Sequence, residues 1–428
     1  MTVKTNLTRL YSGKENKGCG GQVSGVDDIF DRAAKGKSLV KNRQTLNIDY
    51  IPERLPFRDD ESTNLALKLS TVFKGARPSN LLLFGKPGTG KTAVVKTVVE
   101  KLIKKADELG IKITAPIINA KEANTAYKIL YEIAKEMGTD DKGPKDRREE
   151  KIPFTGLSLG EANDRILRHI QKNKINMILV IDEIDSLVDK NGDVILYNFT
   201  RANQRMTKGG FISLVGISNS LTFKEKLDPR VRSSLSEEET VFNPYTIEQL
   251  RQILSTRAKM AFSEDAITDG VINLCAAMAG REHGDARKAI DLLRVSAELA
   301  EREHASVVEE KHVRIAQEKI EKDAQFLAIQ KAAPQDKLVM LAIAKSKNGL
   351  TGEVYDTYSS LCKKMGHEPL TQRRITQIIS EMELLGVIST EVLNQGRGGR
   401  SQKIRITVPM STVSDALKDD PTFAELIG

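Results

Sequence analysis

The sequence predicts an α/β fold: a parallel sheet with helices on both faces, then a small helical domain, then three short helices closed by a β-hairpin. Three observations predict it. Short β-branched or apolar runs alternate with amphipathic helical stretches through the first half of the chain. Strand signals then stop from Thr246 to about Ala333, where apolar residues recur at helical spacing. Beyond Pro334, helical segments lead into two strand-like runs flanking a Gly- and Arg-rich turn. A chain of 428 residues exceeds one hydrophobic core. The expected divisions are an N-terminal arm (1–25), the sheet domain (26–244), the helical domain (245–333), the hairpin domain (334–410) and a C-terminal tail (411–428).

The arm is rich in Gly, Lys, Asn and Ser and poor in apolar residues, the composition of a loosely attached segment. A short amphipathic helix is expected over 26–39, and a second over 61–73, after the strip NIDYIPERLPFRDDE. The strands are SNLLLFG, KITAPIINA, INMILVIDE, FISLVGISN and EEETVFN. TAVVKTVVEKLIKKADELG is a helix that Gly110 ends. TDDKGPKDRREEKIP is a charged, exposed connection. TIEQLRQILSTRAKMAF, SEDAITDGVINLCAAMAG and GDARKAIDLLRVSAELAERE are consecutive helices of the small domain.

A composition of 39% hydrophobic and 29% charged residues is that of a globular protein, and a net charge of +8 favours polyanionic partners such as nucleic acid. No apolar run approaches the roughly 20 residues that span a bilayer, so no membrane partner is expected. The N-terminus lacks the apolar core of a signal peptide. Cys19, Cys275 and Cys362 are scattered, which fits free thiols in a reducing cytoplasm and argues against zinc.

GKPGTGKT, from Gly85 to Thr92, is a phosphate-binding loop between a buried strand and a helix. Gly85, Gly88, Thr89 and Gly90 turn backbone N–H groups toward an anion, which the positive end of the following helix also attracts. Lys91 reaches the outer phosphates of ATP or ADP, and the Thr92 hydroxyl ligates Mg²⁺. ILVIDE ends in the second half of such a site, with Asp182 on the metal and Glu183 as general base for the attacking water.

Together with LVGISN these motifs resemble the AAA+ ATPases, an α/β P-loop fold with a helical lid. The resemblance makes Asn219 the residue that orients the lytic water. LDPRVRSSL resembles the family's arginine-finger segment, which puts Arg230, with Arg232 second, near the γ-phosphate of a neighbouring subunit. HGDARKAI resembles the second sensor, with Asp285 capping a helix and Arg287 in its first turn above the nucleotide. A cation is disfavoured at a helix N-terminus unless an anion is near, which supports that role. NPYTIEQLRQILSTRAKMAF resembles the opening of the lid, where Tyr245 and Arg257 border the nucleotide. The strip NIDYIPERLPFR resembles the adenine side.

The order helix, helix, helix, hairpin after Pro334 is that of a winged helix. In the third helix, LTQRRITQIISEMELLG, Thr371 is the N-cap, and Ile375, Ile378, Ile379, Met382 and Leu385 form a buried stripe. That leaves Arg373, Arg374 and Gln377 free to meet a major groove. The turn NQGRGGRSQK offers Arg397, Arg400 and Lys403 at its tip, suited to a narrow minor groove.

DYIPERLPFRDDE, PFTGLSLGE, VIDEID and LDPRVRSSL resemble archaeal origin-recognition proteins, relatives of the eukaryotic origin recognition complex and its helicase-loading partner. This resemblance extends from about Ile29 to the C-terminus. It implies that the ATP form holds double-stranded origin DNA beside other initiator protomers and helps load the MCM helicase, with slow hydrolysis as a switch. It also implies a DNA-touching insertion within 121–168. Two other readings would give a different C-terminal end. A clamp-loader-like subunit ends in a helical collar rather than a hairpin. A STAND-type regulator carries a long repeat sensor after its winged helix.

Overall fold

The computed structural model describes residues 38–139, 151–206, 209–394, 400–418 and Phe423. The arm, Cys19, most of the helix expected over 26–39 and Arg397 lie outside the described residues.

Six parallel strands form one sheet: β1 (Leu81–Gly85), β2 (Ile113–Thr114), β3 (Ile117–Asn119), β4 (Asn176–Asp182), β5 (Phe211–Ser218) and β6 (Glu238–Phe242). Their order is β2-β4-β5-β1-β6, with β3 also on β4. The proline in KITAPIINA divides that run into two short strands, since a prolyl nitrogen cannot donate to a ladder. Among the described residues, seven helices surround the sheet: α1 (Asp59–Leu69), α2 (Lys91–Glu108), α3 (Ala126–Glu136), α4 (Leu159–Asn173), α5 (Ile184–Asn191), α6 (Val194–Arg205) and α7 (Pro229–Leu235).

Alternation along the strands splits the core in two. Leu81, Leu83, Ile178, Val180, Val215 and Ile217 meet Leu65 of α1 and Val94, Val98 and Leu102 of α2. Leu82, Phe84, Leu179, Ile181, Ile212 and Leu214 face the opposite way, onto Ile129 and Ile133 of α3, Ile166 of α4 and Leu196 of α6. The central strands are apolar on both faces because both are covered.

The lid comprises α8 (Ile247–Ala261), α9 (Asp269–Arg281), α10 (Ala286–Arg302) and the start of α11 (Glu310–Lys331). A capping box between Thr246 and Gln249 starts α8, and the Asp285 carboxylate accepts from the Arg287 and Lys288 amides to start α10. Leu39, Val40 and Leu46 pack in the lid core rather than against the sheet. Cys275 is buried in the same core, where desolvation pushes its thiol up to about 12.

The end of α11 carries Ile329 into the next core, formed with α12 (Pro334–Lys345), α13 (Thr351–Lys364), α14 (Gln372–Leu384) and the antiparallel pair β7 (Ile388–Asn394) and β8 (Arg400–Ile406). The segment expected as a tail adds α15 (Met410–Lys418), and Val413, Leu417 and Phe423 complete this core. Leu385 corrects the predicted stripe of α14. It caps the helix one residue beyond its last turn and is 57% exposed, whereas Ile375, Ile378, Ile379 and Met382 are buried.

Candidate functional site

The site forms at the C-terminal edge of the sheet, where register sets three motifs side by side. Phe84 of β1 pairs with Ser218 of β5, so Gly85 and Asn219 leave adjacent strands at one level. Asp182 pairs with Ile217 and Asn119, placing the acid pair at the same edge. Ligands of open α/β sheets gather at this edge because the loops leaving the strands converge there.

Gly88 and Gly90 hold positive φ values of 72° and 90°. A Cβ at residue 88 would come within 1.7 Å of the Asp285 carboxylate, and one at residue 90 within 2.8 Å of the Tyr245 hydroxyl. Glycine therefore permits both the loop's turn and the lid's close approach to it. The Ala286 amide donates to the Gly88 carbonyl at 3.2 Å, so the start of α10 rests directly on the loop. Thr89 is buried, and its hydroxyl donates to Lys86 O at 2.9 Å, bracing the turn.

Lys91 is only 5% exposed and donates to Gly85 O at 2.6 Å, Lys86 O at 2.9 Å and Asn219 Oδ1 at 2.9 Å. Its pKa is lowered to about 8, chiefly by burial, which outweighs the raising charge of Asp182 and is aided by the Arg287 guanidinium. The Thr92 hydroxyl donates to Asp182 Oδ2 at 2.8 Å. A hydroxyl and a carboxylate are hard oxygen donors, the kind Mg²⁺ takes while keeping water in its remaining positions.

Glu183 starts α5 in the left-handed region, φ 55°, with its amide donating to Asp182 Oδ1 at 2.9 Å. Its Oε1 accepts from Lys121 Nζ at 3.1 Å, while Oε2 is buried without a protein partner. A buried carboxylate oxygen with open acceptor capacity suits a hydrogen bond to a reacting water.

A cleft continues from the loop between the strip at 48–56 and the lid. Gly88, Gly90, Thr92 and Arg287 line it, together with Ile48, Tyr50, Ile51, Ile253, Arg257 and Met260. The lining combines the phosphate loop and a cation with apolar and aromatic side chains, a mixture that suits a nucleotide with phosphates and a flat base. Tyr245 lines the same cleft and is buried, which raises its phenol pKa against the lowering charge of Arg58. Arg257 donates to the carbonyls of Thr45 at 2.7 Å and Tyr50 at 2.8 Å and stacks over the Tyr50 ring. It thus holds the base-side strip in place.

The structure brings together Gly85, Gly88, Thr89, Gly90, Lys91, Thr92, Asp182, Glu183, Asn219, Tyr245, Arg257 and Arg287. Arg230 and Arg232 stand apart from this cleft, exposed on α7. Two further residues belong to the site. Lys121 follows β3 directly, and its signal in the sequence is a cation just past a strand end. Arg58 lies in the strip NIDYIPERLPFR, but only the fold shows what it touches: it is 4% exposed and reaches the Thr89 and Asn243 carbonyls.

In the winged helix, Thr371 caps α14, and Arg373, Arg374 and Gln377 are exposed in its first two turns. Arg374 pairs with Glu381 at 3.6 Å, both about half exposed. Arg400 begins β8 opposite Asn394, and Arg397 falls outside the described residues. The register corrects the placement of Lys403 at the tip of the turn. It sits within β8 opposite Glu391 and bridges to Leu350. Arg405, two residues on and more than half exposed, is a further cation of this strand that period-two alternation in KIRI signals.

Three sequence patterns match in order: an AAA domain over 76–222, the Cdc6 AAA+ ATPase-type lid domain over 251–318, and the CDC6 C-terminal winged helix domain over 327–416. The ORC1-type DNA replication protein of Cenarchaeum symbiosum is 46% identical over 405 residues, covering 94% of this chain and 97% of that protein. Its counterpart from Pyrococcus horikoshii is 43% identical over 412 residues, covering 95% and 96%. The structure of the Aeropyrum pernix ORC1 protein in complex with DNA superposes with a TM-score of 0.77 at 40% identity, covering 91% of this chain and all of that one. This chain belongs to the ORC1-type DNA replication proteins, AAA+ initiators that carry a Cdc6-type lid and a winged helix.

Proposed function

We propose that the protein is an ATP-dependent initiator that binds duplex origin DNA and helps recruit or load the MCM helicase, hydrolysing ATP slowly as a switch. The observation that carries this reading is the union of two sites in one chain. At one sheet edge Lys91 bonds to Asn219 while the neighbouring Thr92 bonds to Asp182, beside Glu183, and a winged helix presents Arg373 and Arg374 to solvent. The relative from Aeropyrum pernix, described in complex with DNA, supports the second half.

In this reading ATP lies with its base against the strip at 48–56 and its phosphates in the loop. Thr92 and Asp182 would hold Mg²⁺, which would supply charge neutralisation at the phosphates. Lys91 binds the outer phosphates, and Asn219, bonded to Lys91, aligns the attacking water. Glu183 accepts that water's proton. Its ion pair with Lys121 restrains the carboxylate, which fits a slow enzyme. Arg287 lends charge from the lid. Arg230, exposed on α7, completes the site of a second protomer bound alongside on the origin. Arg373, Arg374 and Gln377 contact the major groove, and Arg397 and Arg400 the minor groove. The protein acts in the cytoplasm on the chromosome.

Footprinting on its own genomic DNA, with ATP and with ADP, tests this reading. Discrete repeated sites protected more strongly with ATP, and capture of purified MCM at them, are the expected result. Uniform protection that ignores both sequence and nucleotide would overturn it.

A further inference from the structure

We infer that Arg58 is a positioning residue that fixes one peptide of the phosphate loop and ties it to the hinge between sheet and lid. Arg58 Nε donates to Thr89 O at 2.9 Å, inside the loop. The C=O of Thr89 and the N–H of Gly90 belong to one peptide unit, and the described chain contains no cis peptide. In a trans unit these two groups point in opposite directions. Holding the carbonyl toward Arg58 therefore aims the Gly90 N–H away from it, toward the side on which a loop of this type receives phosphate.

The remaining donors reach elsewhere. One terminal nitrogen donates to Asn243 O at 2.6 Å, the first residue after β6, where the chain leaves the sheet for the lid. The other is paired with Glu61 at 2.7 Å. The guanidinium carbon lies 4.1 Å from the centre of the Tyr245 ring, and the Tyr245 hydroxyl crowds the space that a Cβ on Gly90 would need. Tyr245 N in turn donates to Gly284 O at 3.3 Å, at the turn into α10. One buried fork thus touches the loop, the link at 243–245 and an aromatic ring that packs on both. Lysine cannot replace it: a single ammonium offers neither the planar fork nor the stacking face. The preceding residue, Phe57, adopts φ 60°, a conformation rare for a bulky side chain. This backbone is held by its surroundings and aims Arg58 inward.

This assignment rests on the cleft taking ATP. The test uses the full chain with Arg58→Lys and Arg58→Ala, measuring ATP and ADP affinity and hydrogen exchange of the 243–246 link with and without saturating nucleotide. Wild type should bind ATP, and nucleotide should slow exchange at the link. Both variants should bind at least tenfold more weakly and, once saturated, show no nucleotide-dependent slowing. If Arg58→Ala fails to fold, Arg58→Lys carries the same comparison. A lysine variant equal to wild type in affinity and protection would overturn the proposal. So would a lower melting temperature with the nucleotide response intact, since that marks a purely structural residue. Wild type that binds no ATP would instead remove the reading of the cleft itself, and this assignment with it.

Discussion

The phosphate-loop region and the winged-helix surface are both rich in cations, yet they hold them in opposite ways. Around the loop and the cleft, Lys91, Arg58 and Arg257 are each less than a tenth exposed, and every one donates to at least two acceptors. On the winged helix, Arg373, Arg374 and Arg405 face solvent, and the ion pairs of the latter two are long, at 3.6 and 3.9 Å. A buried charge must be fully partnered, because desolvation without compensation is costly. The same network pre-aims it at a reacting group. An exposed charge needs no such framework, and its gain on DNA comes largely from released counterions. Substitutions should therefore act steeply and individually in the cleft, and in a graded, salt-dependent way on the winged helix.

The largest expected effect is at Glu183. Replacement by Gln should lower ATP turnover by roughly 10²–10⁴-fold while leaving ATP affinity nearly unchanged, since the amide keeps the shape but cannot take a proton. Single-turnover kinetics beside equilibrium binding checks this, and a parallel loss of both would assign Glu183 to structure. Next in size is the pH dependence of binding. In the proposed role Lys91 meets phosphate as an ammonium, and its pKa in the free protein is lowered to about 8. ATP affinity should hold below pH 8 and weaken above it, approaching a tenfold loss per pH unit. A flat titration from pH 7 to 9.5 would mean that Lys91 does not meet the phosphates.

Neutralising Arg373 and Arg374 together should weaken duplex binding. It should also lower the slope of log affinity against log salt by about 1 for each phosphate that is no longer neutralised. An unchanged slope would remove both from the DNA face and with them the difference between the two regions. Lys121→Ala should raise turnover a few-fold by freeing Glu183, which steady-state ATPase kinetics checks. The smallest effect separates two neighbours on β8. Arg405→Ala should weaken DNA binding more than Lys403→Ala, because Lys403 lies at the bridge to Leu350 whereas Arg405 is more than half exposed.

Much of the cleft is legible without the fold, because its parts are local. GKPGTGKT encodes a turn and a helix start within eight residues, and ILVIDE encodes a buried strand with acids at its open end. The Asp285 cap is readable for the same reason, since an N-cap bonds to amides two and three residues on. The winged helix is legible at the level of element order and apolar stripe, but its edges are not. Leu385 satisfies the helical period yet falls past the last turn, and Lys403 reads as part of a turn although its strand begins three residues earlier. Periodicity gives a face and leaves the end of an element open.

By itself the sequence determined the sheet, the chemistry of its phosphate loop and acid pair, and the order of the lid and DNA-binding domains, because each is written in contiguous residues with a fixed geometric period. Only the tertiary structure decided which distant groups are bonded to one another: Lys91 with Asn219, Glu183 with Lys121, and Arg58 with both Thr89 and Asn243. Strand order sets those pairings. Residues far apart in the chain meet because β1 and β4 both lie against β5 and end at one edge, and no local pattern specifies which strands become neighbours.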